Sequence, residues 1–337
     1  MKHCALLAVA ACFVVTAAQA DDLRVREIGS YHVGGREVTL SGLPTQEISF
    51  TAGMAPVKVD PNGQFEAFQM YVQYVRLAEP KARYPLMMWH GGGLTGVTWE
   101  TKPDGKPGWQ SYFLSQGHDV YVSDAVERGR ASWARYPEIN PSPPFFRPKQ
   151  EAWELFRIGP VGSWATKTAF PGTQFPTASF DQFMKQGVPR FATSDKESQA
   201  AYDAYVQKAC PCVIIVHSQG GNFAMTAALH APDKVKAIIA VEPSGAPPPT
   251  TDVSTLKGVP HLFIWGDHLA EHPAWPKFQG AVAAYRETLT KAGVPADWVS
   301  LPERGITGNS HMLMMEENSD QIAALIQNWM EQHALMK

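Results

Sequence analysis

The sequence has few cysteines, no long linker and no strong excess of charge of either sign. Its 337 residues include four cysteines, 29 lysine and arginine residues and 32 aspartate and glutamate residues, for a formal net charge of −3. So mild an acidity provides no electrostatic footprint for nucleic acid or for an anionic membrane surface. Neither a Gly/Ser-rich linker, nor a block of like charge, nor an internal repeat divides the chain. These absences favour one large globular domain without a nucleic-acid partner.

Residues 1–20 have the pattern of an export signal rather than of a folded element. Lys2 and His3 form a short positive end, residues 5–15 are apolar, and Ala18-Gln19-Ala20 is a small-x-small cleavage site. The apolar run is too short to span a bilayer permanently. Lipid attachment at Cys12 is an alternative, but the apolar run continues beyond that cysteine. We therefore predict cleavage after Ala20, secretion or export to the periplasm, and no stable membrane insertion.

Cleavage of this signal changes the charge and the cysteine content of the chain. Lys2, Cys4 and Cys12 would leave with it, so that 28 basic residues face 32 acidic ones and Cys210 and Cys212 remain. An oxidising compartment permits a disulfide between these two, but so short a ring would be strained. Two small residues leading into a buried strand are the alternative. No Asn-x-Ser/Thr triplet occurs with x other than proline, which favours a bacterial exported protein.

The order of sequence patterns predicts an α/β fold. Strand-like segments rich in β-branched and aromatic residues fill residues 25–77, and an aromatic- and proline-rich stretch at about 133–208 then interrupts the rhythm. We predict a single domain over residues 21–337, in which this stretch is a cap insertion. Beyond it, apolar strands alternate with helices, which indicates a mostly parallel central sheet with helices on both faces. The strands are predicted at 212–216, 235–241, 262–265 and 298–301, and the helices at 221–229, 275–292 and 323–335.

Ser218 is the candidate nucleophile. It lies directly after a buried strand and before a helix, in the run Val216-His217-Ser218-Gln219-Gly220. A serine on such a strand-turn-helix elbow projects its hydroxyl above the edge of the sheet. Small residues two positions to either side of the serine usually relieve crowding in the turn. Gly220 meets this requirement, whereas Val216 stands where glycine is usual; a buried structural serine is the alternative.

A glycine-rich loop supplies candidate donors for the negative oxygen of an acyl-transfer transition state. His90-Gly91-Gly92-Gly93 follows a short apolar strand. Consecutive glycines let backbone N–H groups converge on one point, and each such donor is worth roughly 3 kcal/mol of transition-state stabilisation. We assign the oxyanion hole to the N–H groups of Gly92 and Gln219, with Gly93 as the alternative to Gly92. A merely flexible turn is the other interpretation of this loop.

A serine hydroxyl needs a neighbouring imidazole to take its proton, and that imidazole needs a carboxylate to orient it. His311 follows the last predicted strand near the C-terminus and is the candidate base. Two carboxylates follow strands that lie between the serine and this histidine. Glu242 ends one strand, 24 residues after Ser218, and Asp267 ends the next. We assign the acid to Glu242; Asp267 could instead serve as the acid or cap a turn.

These motifs together resemble a small group of secreted bacterial esterases within the α/β-hydrolase superfamily. The resemblance rests on residues 90–96, Trp99-Glu100, 217–219, 241–243, Gly266-Asp267-His268 and 308–312. It implies the α/β-hydrolase fold, hydrolysis of carboxylic esters without metal or cofactor, and a glutamate acid after the sixth strand. In many α/β-hydrolases the acid instead lies three residues past a glycine after the seventh strand, a position that Leu269 occupies here. A departure from the group is that Gly92 and Gly93 stand where some relatives carry cysteines.

Other functions use the same or different residues. Thioesterase, lactonase and peptidase activities would proceed through the same acyl-enzyme. His268-Leu269-Ala270-Glu271-His272 matches the H-x-x-E-H pattern of zinc peptidases, in which His268 and His272 would bind zinc and Glu271 would act as base. A strand precedes this motif and Pro273 follows it, whereas zinc peptidases carry it inside a long helix. A non-catalytic binding protein is the third class. The sequence favours a small-molecule ester as substrate and gives no indication of the oligomeric state.

Overall fold

A computed structural model describes residues 22–337 of the chain. The predicted signal, with Cys4 and Cys12, lies outside the described residues. The strands are β1 (Val25–Leu40), β2 (Gln46–Ile48), β3 (Val57–Val59), β4 (Gly63–Leu77), β5 (Leu86–Trp89), β6 (Val120–Asp124), β7 (Cys212–His217), β8 (Val235–Val241), β9 (His261–Trp265) and β10 (Ala296–Ser300). The α-helices are α1 (Val97–Glu100), α2 (Trp109–Ser115), α3 (Lys149–Leu155), α4 (Phe180–Met184), α5 (Asp195–Ala209), α6 (Gly220–His230), α7 (Trp275–Lys291) and α8 (Ser319–Gln332).

Eight of these strands form one sheet in the order β1-β4-β6-β5-β7-β8-β9-β10. The long strands β1 and β4 pair antiparallel at one edge, and β4 is antiparallel to β6. From β6 to β10 every neighbouring pair is parallel. Parallel neighbours bring the carboxyl ends of β5, β7, β8 and β9 to the same edge of the sheet. The loops that carry the predicted site residues follow those ends.

Helices cover both faces of the sheet. Successive residues of a strand point to opposite faces, so each strand contributes side chains to two cores. In β5, Met87 packs in one hydrophobic core and Met88 in the other, and Ile214 and Ile215 of β7 divide in the same way. One core lies between the sheet and α5, α6 and α7, and the other is closed by α2 and α8. Strands buried on both faces have uniformly apolar sequences. The prediction of a mostly parallel sheet covered on both faces is therefore confirmed.

The aromatic-rich stretch lies between β6 and β7 and extends the second core. Trp153 of α3 contacts Phe180 of α4 with ring centroids 5.0 Å apart, and Phe175 contacts Phe183 at 5.3 Å. The last helix of this stretch, α5, packs instead against β1, β4 and α6 on the other face. A cap over residues 133–208 stays a prediction, and its last part is a helix of the layer that covers the sheet.

Cys210 and Cys212, just before and at the start of β7, are joined by a disulfide. Of the two alternatives that the sequence leaves open, the structure has the disulfide. Among residues 22–337, no helix is both long and apolar enough to cross a membrane.

Candidate active site

Ser218 lies in the tight turn between β7 and α6. Its φ of 54° falls in the left-handed region, which a residue other than glycine rarely occupies. The Ser218 N–H donates to the carbonyl of Val241 at 3.1 Å, and the Ser218 carbonyl accepts from the N–H groups of Gly221 and Ser244. These three bonds hold the predicted nucleophile in the strained backbone of a strand-turn-helix elbow.

The turn is so crowded that Gly220 cannot carry a side chain without local movement. A Cβ at this position would lie 2.6 Å from Cγ2 of Val216 and 2.8 Å from the carbonyl oxygen of His90. Val216 stands where a second glycine is usual in this motif, and its side chain occupies the space beside Gly220. The turn therefore accommodates Val216 in place of the usual glycine, and this valine makes glycine at position 220 more strictly required.

The glycine loop after β5 approaches the elbow closely. A Cβ on Gly91 would lie 2.9 Å from Cβ of Ser218, and one on Gly92 would lie 2.8 Å from the side-chain amide oxygen of Gln219. The next residue, Gly93, has a positive φ of 71°. Because Gly91 and Gly92 lack side chains, the backbone of this loop lies directly against the turn that carries Ser218. The structure thus brings both predicted oxyanion residues, Gly92 and Gln219, to the same place.

His90 fixes the start of this loop. Its Nε2 accepts from the N–H of Ala125 at 3.0 Å, so its Nδ1 carries the proton and donates to the carbonyl of Gly91 at 2.8 Å. Burial lowers the pKa of His90 to about 4. The imidazole is therefore neutral at physiological pH, and its two hydrogen bonds join the glycine loop to the end of β6.

His311 and Glu242 are in direct contact. Nδ1 of His311 lies 3.2 Å from Oε2 of Glu242, and both residues are buried. The imidazole ring lies 4.3 Å from the Trp275 ring and 5.4 Å from the Phe156 ring, centroid to centroid, and the His311 N–H donates to the Phe156 carbonyl at 2.8 Å. Burial lowers the pKa of His311 well below its usual range, and the charges of Arg157 and Arg147 lower it further. The ring is therefore neutral at pH 7, as a general base must be.

The other carboxylate oxygen of Glu242 is held by two donors. Oε1 accepts from Nη2 of Arg157 at 2.7 Å and from the N–H of Gly266 at 2.5 Å. Glu242 itself has a positive φ of 51° at the end of β8, which turns its side chain out of the strand. The carboxylate therefore bridges three elements: β9 through Gly266, the aromatic stretch through Arg157, and the C-terminal loop through His311.

Sequence reasoning missed Arg157. This arginine is 1% exposed, its Nε donates to the carbonyl of Asp267 at 2.7 Å, and its guanidinium lies 4.4 Å from the centre of the Trp275 ring. It belongs to the aromatic stretch, where no periodic pattern places any residue relative to the sheet. Arg157 is one of four arginines in this stretch, and its large apolar neighbours in the sequence do not specify a partner for it.

Asp267, the alternative acid, has other partners. Its carboxylate accepts from the N–H of Gly308, and its own N–H donates to the carbonyl of Asn309 at 2.8 Å. These bonds tie the end of β9 to the loop before His311. The arrangement is that of a carboxylate capping a turn. Leu269 lies in a short 3₁₀ turn over Leu269–Glu271.

Glu316 holds the loop that carries His311, a role that no sequence pattern indicated. Its Oε1 accepts from the N–H of Ser310 at 2.5 Å, and its Oε2 accepts from Nδ2 of Asn309 at 2.6 Å. The buried Lys102 ammonium donates to the Glu316 carbonyl at 3.1 Å. Burial raises the pKa of Glu316 to about 7 against the opposing effect of these hydrogen bonds.

Among residues 22–337, no hydrogen bond joins Ser218 to His311; the hydrogen bonds of the His311 ring and carbonyl go to Glu242 and His217. His217, which precedes the serine, packs against the predicted base: its Nε2 lies 3.0 Å from the carbonyl oxygen of His311 and its ring lies 4.3 Å from the His311 ring. The catalytic contacts of an enzyme often tighten only when substrate binds. The geometry therefore joins His311 directly to Glu242 and, through His217, to the residue that precedes Ser218.

The zinc-peptidase motif has a different structure from the helix that such a motif needs. Nδ1 of His268 donates to Oε1 of Glu271 at 2.8 Å, and the His268 ring stacks on Phe170 with ring centroids 3.8 Å apart. Nδ1 of His272 accepts from the N–H of Ala274. The residues between the two histidines form a single 3₁₀ turn. In the part of the chain that the structure describes, no group of three or more His, Cys, Asp or Glu side chains is arranged to hold a metal ion.

A narrow apolar cleft opens at the glycine loop. Gly92 and Gly93 form one wall, and side chains of the aromatic stretch form the rest, chiefly Phe146, Phe156, Phe183 and Met184. Arg147 lies at the same cleft. A hydrophobic group bound here would lie beside the predicted oxyanion hole.

Comparison with known proteins places this fold in a family. A sequence model of the α/β hydrolase fold matches residues 211–263, which run from the start of β7 into β9. A solved structure described as the atomic-resolution structure of a novel bacterial esterase is 34% identical in sequence. The match covers 95% of this chain and 99% of that one, with a TM-score of 0.80. The chain therefore belongs to the α/β-hydrolase family of esterases.

A second relative comes from a fungus. "Probable secreted lipase phiG" of Fungal sp. (strain ATCC 74256) is 28% identical over 331 residues, which are 80% of this chain and 87% of that protein. The predictions of the α/β-hydrolase fold, of the esterase family and of a hydrolytic enzyme are confirmed by these two relatives.

Proposed function

We propose that the protein is a serine carboxylesterase in which Ser218 is the nucleophile, His311 the general base and Glu242 the acid. The observation that carries this proposal is the contact of 3.2 Å between Nδ1 of His311 and Oε2 of Glu242. It leaves Nε2 of His311 free to serve the serine. The left-handed backbone at Ser218 supports the proposal as well, because a serine on such an elbow projects its hydroxyl from the end of the strand.

The reaction proceeds through an acyl-enzyme. Nε2 of His311 takes the hydroxyl proton of Ser218 while Oγ bonds to the ester carbonyl carbon. The carbonyl oxygen becomes an oxyanion, which the N–H groups of Gly92 and Gln219 stabilise. His311 then gives the proton to the alcohol oxygen as the ester C–O bond breaks. Water, deprotonated by the same imidazole, attacks the acyl group and releases the carboxylic acid and free Ser218.

Glu242 keeps the imidazole in the tautomer and orientation that this sequence needs. Its carboxylate accepts the Nδ1 proton and stabilises the imidazolium that forms when His311 holds the serine proton. Arg157 and Gly266 bind the opposite oxygen, so the carboxylate cannot rotate away from the ring. Metal and cofactor have no part in the proposed steps, and the substrate is a small ester.

We also propose that residues 1–20 direct secretion or transport to the periplasm. The disulfide between Cys210 and Cys212 supports an oxidising compartment, and the fungal relative is named a secreted lipase. N-terminal sequencing of protein recovered from the periplasm or medium would test cleavage after Ala20. A chain that keeps Lys2 there would contradict it.

The nucleophile is tested by Ser218→Ala. We expect kcat on a p-nitrophenyl ester to fall by about 10⁴- to 10⁶-fold while the circular dichroism spectrum is unchanged. Ser115→Ala, at an exposed position on α2, is the matched control and should retain full activity. A fluorophosphonate should label the wild-type protein and not Ser218→Ala. Substantial activity in Ser218→Ala would refute the proposal.

The acid is tested by comparing Glu242→Gln with Asp267→Asn. Of these two carboxylates, Glu242 is the one that contacts His311, whereas Asp267 accepts from Gly308. Glu242→Gln should therefore lose about 10²- to 10⁴-fold in kcat, far more than Asp267→Asn. A larger loss in Asp267→Asn would show that the other carboxylate is the acid. A panel of oxygen esters, thioesters, lactones and peptides then separates an esterase from hydrolases that share the acyl-enzyme.

A further inference from the structure

The predicted oxyanion hole depends on two backbone N–H groups, those of Gly92 and Gln219. Both residues lie in turns, and among residues 22–337 neither N–H donates to a backbone carbonyl. Gln219 directly precedes α6, and the first N–H groups of a helix have no partner within it. Such donors stabilise a transition state only if they are aligned before charge develops on the substrate. Their alignment therefore depends on the groups that hold these two residues from outside.

The side chain of Arg190 lies against both of these residues. A guanidinium has only donors, so the Gln219 amide presents its oxygen to Arg190. That oxygen accepts from Nε of Arg190 at 3.3 Å and from Nη2 at 2.5 Å. A Cβ placed on Gly92 would lie 2.8 Å from the same amide and 3.4 Å from Nη1 of Arg190. The Gln219 side chain therefore lies between the guanidinium and the glycine loop.

The backbone of Arg190 is itself held by hydrogen bonds. Its N–H donates to the carbonyl of Phe145 at 2.9 Å, and its carbonyl accepts from the N–H of Phe145 at 2.7 Å. Two residues earlier, the N–H of Val188 donates to the carbonyl of Gly93 at 2.9 Å. Residues 188–190 of the aromatic stretch thus bond to the glycine loop through the backbone and to the residue after Ser218 through the Arg190 side chain.

No close carboxylate accounts for the position of Arg190. Its one ion pair among residues 22–337 is with Asp195, at 3.9 Å, and the Asp195 side chain is 62% exposed. An ion pair this long and exposed contributes little. Burial is the main cause that lowers the pKa of the Arg190 guanidinium, so the group has lost part of its hydration. The two hydrogen bonds to the Gln219 oxygen offset this loss, because bonds from a charged donor are stronger than those between neutral groups.

From these contacts we propose that Arg190 is a positioning residue of the oxyanion hole and acts through Gln219. Its guanidinium holds the Gln219 amide against the glycine loop, which fixes the placement of the two N–H groups relative to each other. A displacement of about 1 Å in such a site can cost roughly 10²-fold in rate. The inference rests on the proposed esterase function and adds a residue of the aromatic stretch to its machinery.

Arg190→Met should lower kcat on p-nitrophenyl acetate about 10- to 100-fold and change KM less than about threefold, because the hole acts on the transition state. An alkyl trifluoromethyl ketone reports on the same hole. Oγ of Ser218 adds to its carbonyl carbon, the hydroxyl proton passes to His311, and the carbonyl oxygen becomes an oxyanion. Its inhibition constant should rise by the same factor as kcat falls. Arg135→Met is the matched control, since its side chain is 29% exposed, as is that of Arg190, and pairs with Glu138. A raised KM with unchanged kcat would assign Arg190 to substrate binding and overturn the proposal.

Gln219→Ala tests the same contact from its other side, because it removes the amide and keeps the backbone N–H. We expect a loss of kcat similar to that of Arg190→Met, and Arg190→Met in the Gln219→Ala background should cost less than about twofold more. Losses that multiply would show that Arg190 does not act through Gln219. Circular dichroism of each variant checks that the fold is retained.

The wild-type protein separates this inference from the esterase proposal. If it hydrolyses esters and Arg190→Met is equally active, the positioning role is wrong and the proposed function stands. If the folded wild type cleaves no ester and no fluorophosphonate labels Ser218, the proposed function fails and this inference fails with it.

Discussion

At the scale of single residues, Glu242 has to satisfy two opposed demands. It must remain a carboxylate while fully buried, and it must not raise the pKa of His311 so far that the base is protonated in the resting enzyme. Arg157 meets both demands, because its guanidinium pairs with Oε1 at 2.7 Å while His311 contacts Oε2. The charge of Arg157 also lowers the pKa of His311 directly. We therefore regard Arg157 as a positioning residue that acts through Glu242.

Removing Arg157 should change the pH dependence of the reaction as well as its rate. In Arg157→Met the Glu242 charge is no longer neutralised, so the pKa of His311 should rise and the acid limb of kcat/KM should move to higher pH. We expect kcat at pH 8 to fall about 10- to 100-fold, with little change in KM. The measurement is a pH–rate profile from pH 5 to 9, with the exposed Arg24→Met as control. A loss of rate without a shift of the acid limb would contradict this role and indicate a merely structural one.

The crowding at Gly220 predicts a specific coupling with Val216. Gly220→Ala places a Cβ 2.6 Å from Cγ2 of Val216 and should cost about 1–3 kcal/mol of unfolding free energy. Gly220→Ala in a Val216→Gly background should cost less, because one of the two clashes is removed. Urea denaturation of the four proteins in this cycle measures the coupling. Gly280→Ala, in α7 with no atom within 4 Å, is the control and should be neutral or slightly stabilising.

Residues at strand ends were predictable from the sequence, whereas their supporting residues were not. Ser218, Glu242 and His311 each follow an apolar run, and the carboxyl ends of parallel strands meet at one edge. Arg157 and Glu316 reach the same place from irregular segments, where neither period nor spacing fixes a neighbour. Tertiary packing sets their partners. Arg157, for example, pairs with a residue 85 positions later in the chain, Glu242, and no local sequence pattern indicates such a pairing.

At the scale of elements, the loop between β10 and α8 carries His311 and depends on Glu316. When ionised, the Glu316 carboxylate accepts from Ser310 and Asn309 through different oxygens. When protonated, one oxygen becomes a donor and loses its best acceptor geometry. Because burial raises the pKa of Glu316 to about 7, this change falls near neutral pH. Its expected effect is a loosening of the His311 loop as the pH falls through 7.

Glu316→Gln should reproduce the protonated state at every pH. We expect its kcat at pH 8 to be about tenfold below that of the wild type, and the wild-type decrease near pH 7 to disappear from its pH profile. The acid limb that belongs to His311, at lower pH, should remain. Glu303→Gln, an exposed change on the segment after β10, is the control. An unchanged decrease near pH 7 in Glu316→Gln would assign that limb to another group.

The aromatic stretch contributes to the site through its backbone and through its side chains. Phe156 accepts the His311 N–H and lines the apolar cleft, and Arg157 follows it directly. The sequence indicated an insertion here from its composition, and it could not indicate contacts with the triad. A change of packing in this stretch would therefore alter the base and the binding cleft together.

At the scale of the whole molecule, the burial of neutral histidines links stability to pH. Five of the histidines in residues 22–337 are buried: His90, His118, His217, His261 and His311. Burial is the largest cause of a lowered pKa in every one of them, to about 4 for His90 and His261. The unfolded chain takes up protons on these side chains below about pH 6.5, whereas the folded chain does not. Their contribution to stability is therefore complete above about pH 6.5 and is lost as the pH falls through the lowered values.

The free energy of unfolding should thus decrease steeply on acidification. Each histidine contributes a slope of about 1.4 kcal/mol per pH unit within its window, and several windows overlap between about pH 6.5 and 4. Glu316 opposes this loss of stability between about pH 4.5 and 7, because its raised pKa favours proton uptake by the folded chain. Its effect is that of one group against five histidines. Urea denaturation at pH 7.5, 6.5, 5.5 and 4.5 should give a net slope above that of a single histidine. His261 lies at the start of β9, at the opposite end of that strand from the catalytic loops. His261→Gln should therefore reduce the slope by about 1.4 kcal/mol per pH unit, the contribution of one histidine. A stability that is flat from pH 7.5 to 4.5 would mean that the buried histidines are protonated in place, which would also remove the neutral base on which the proposed mechanism depends.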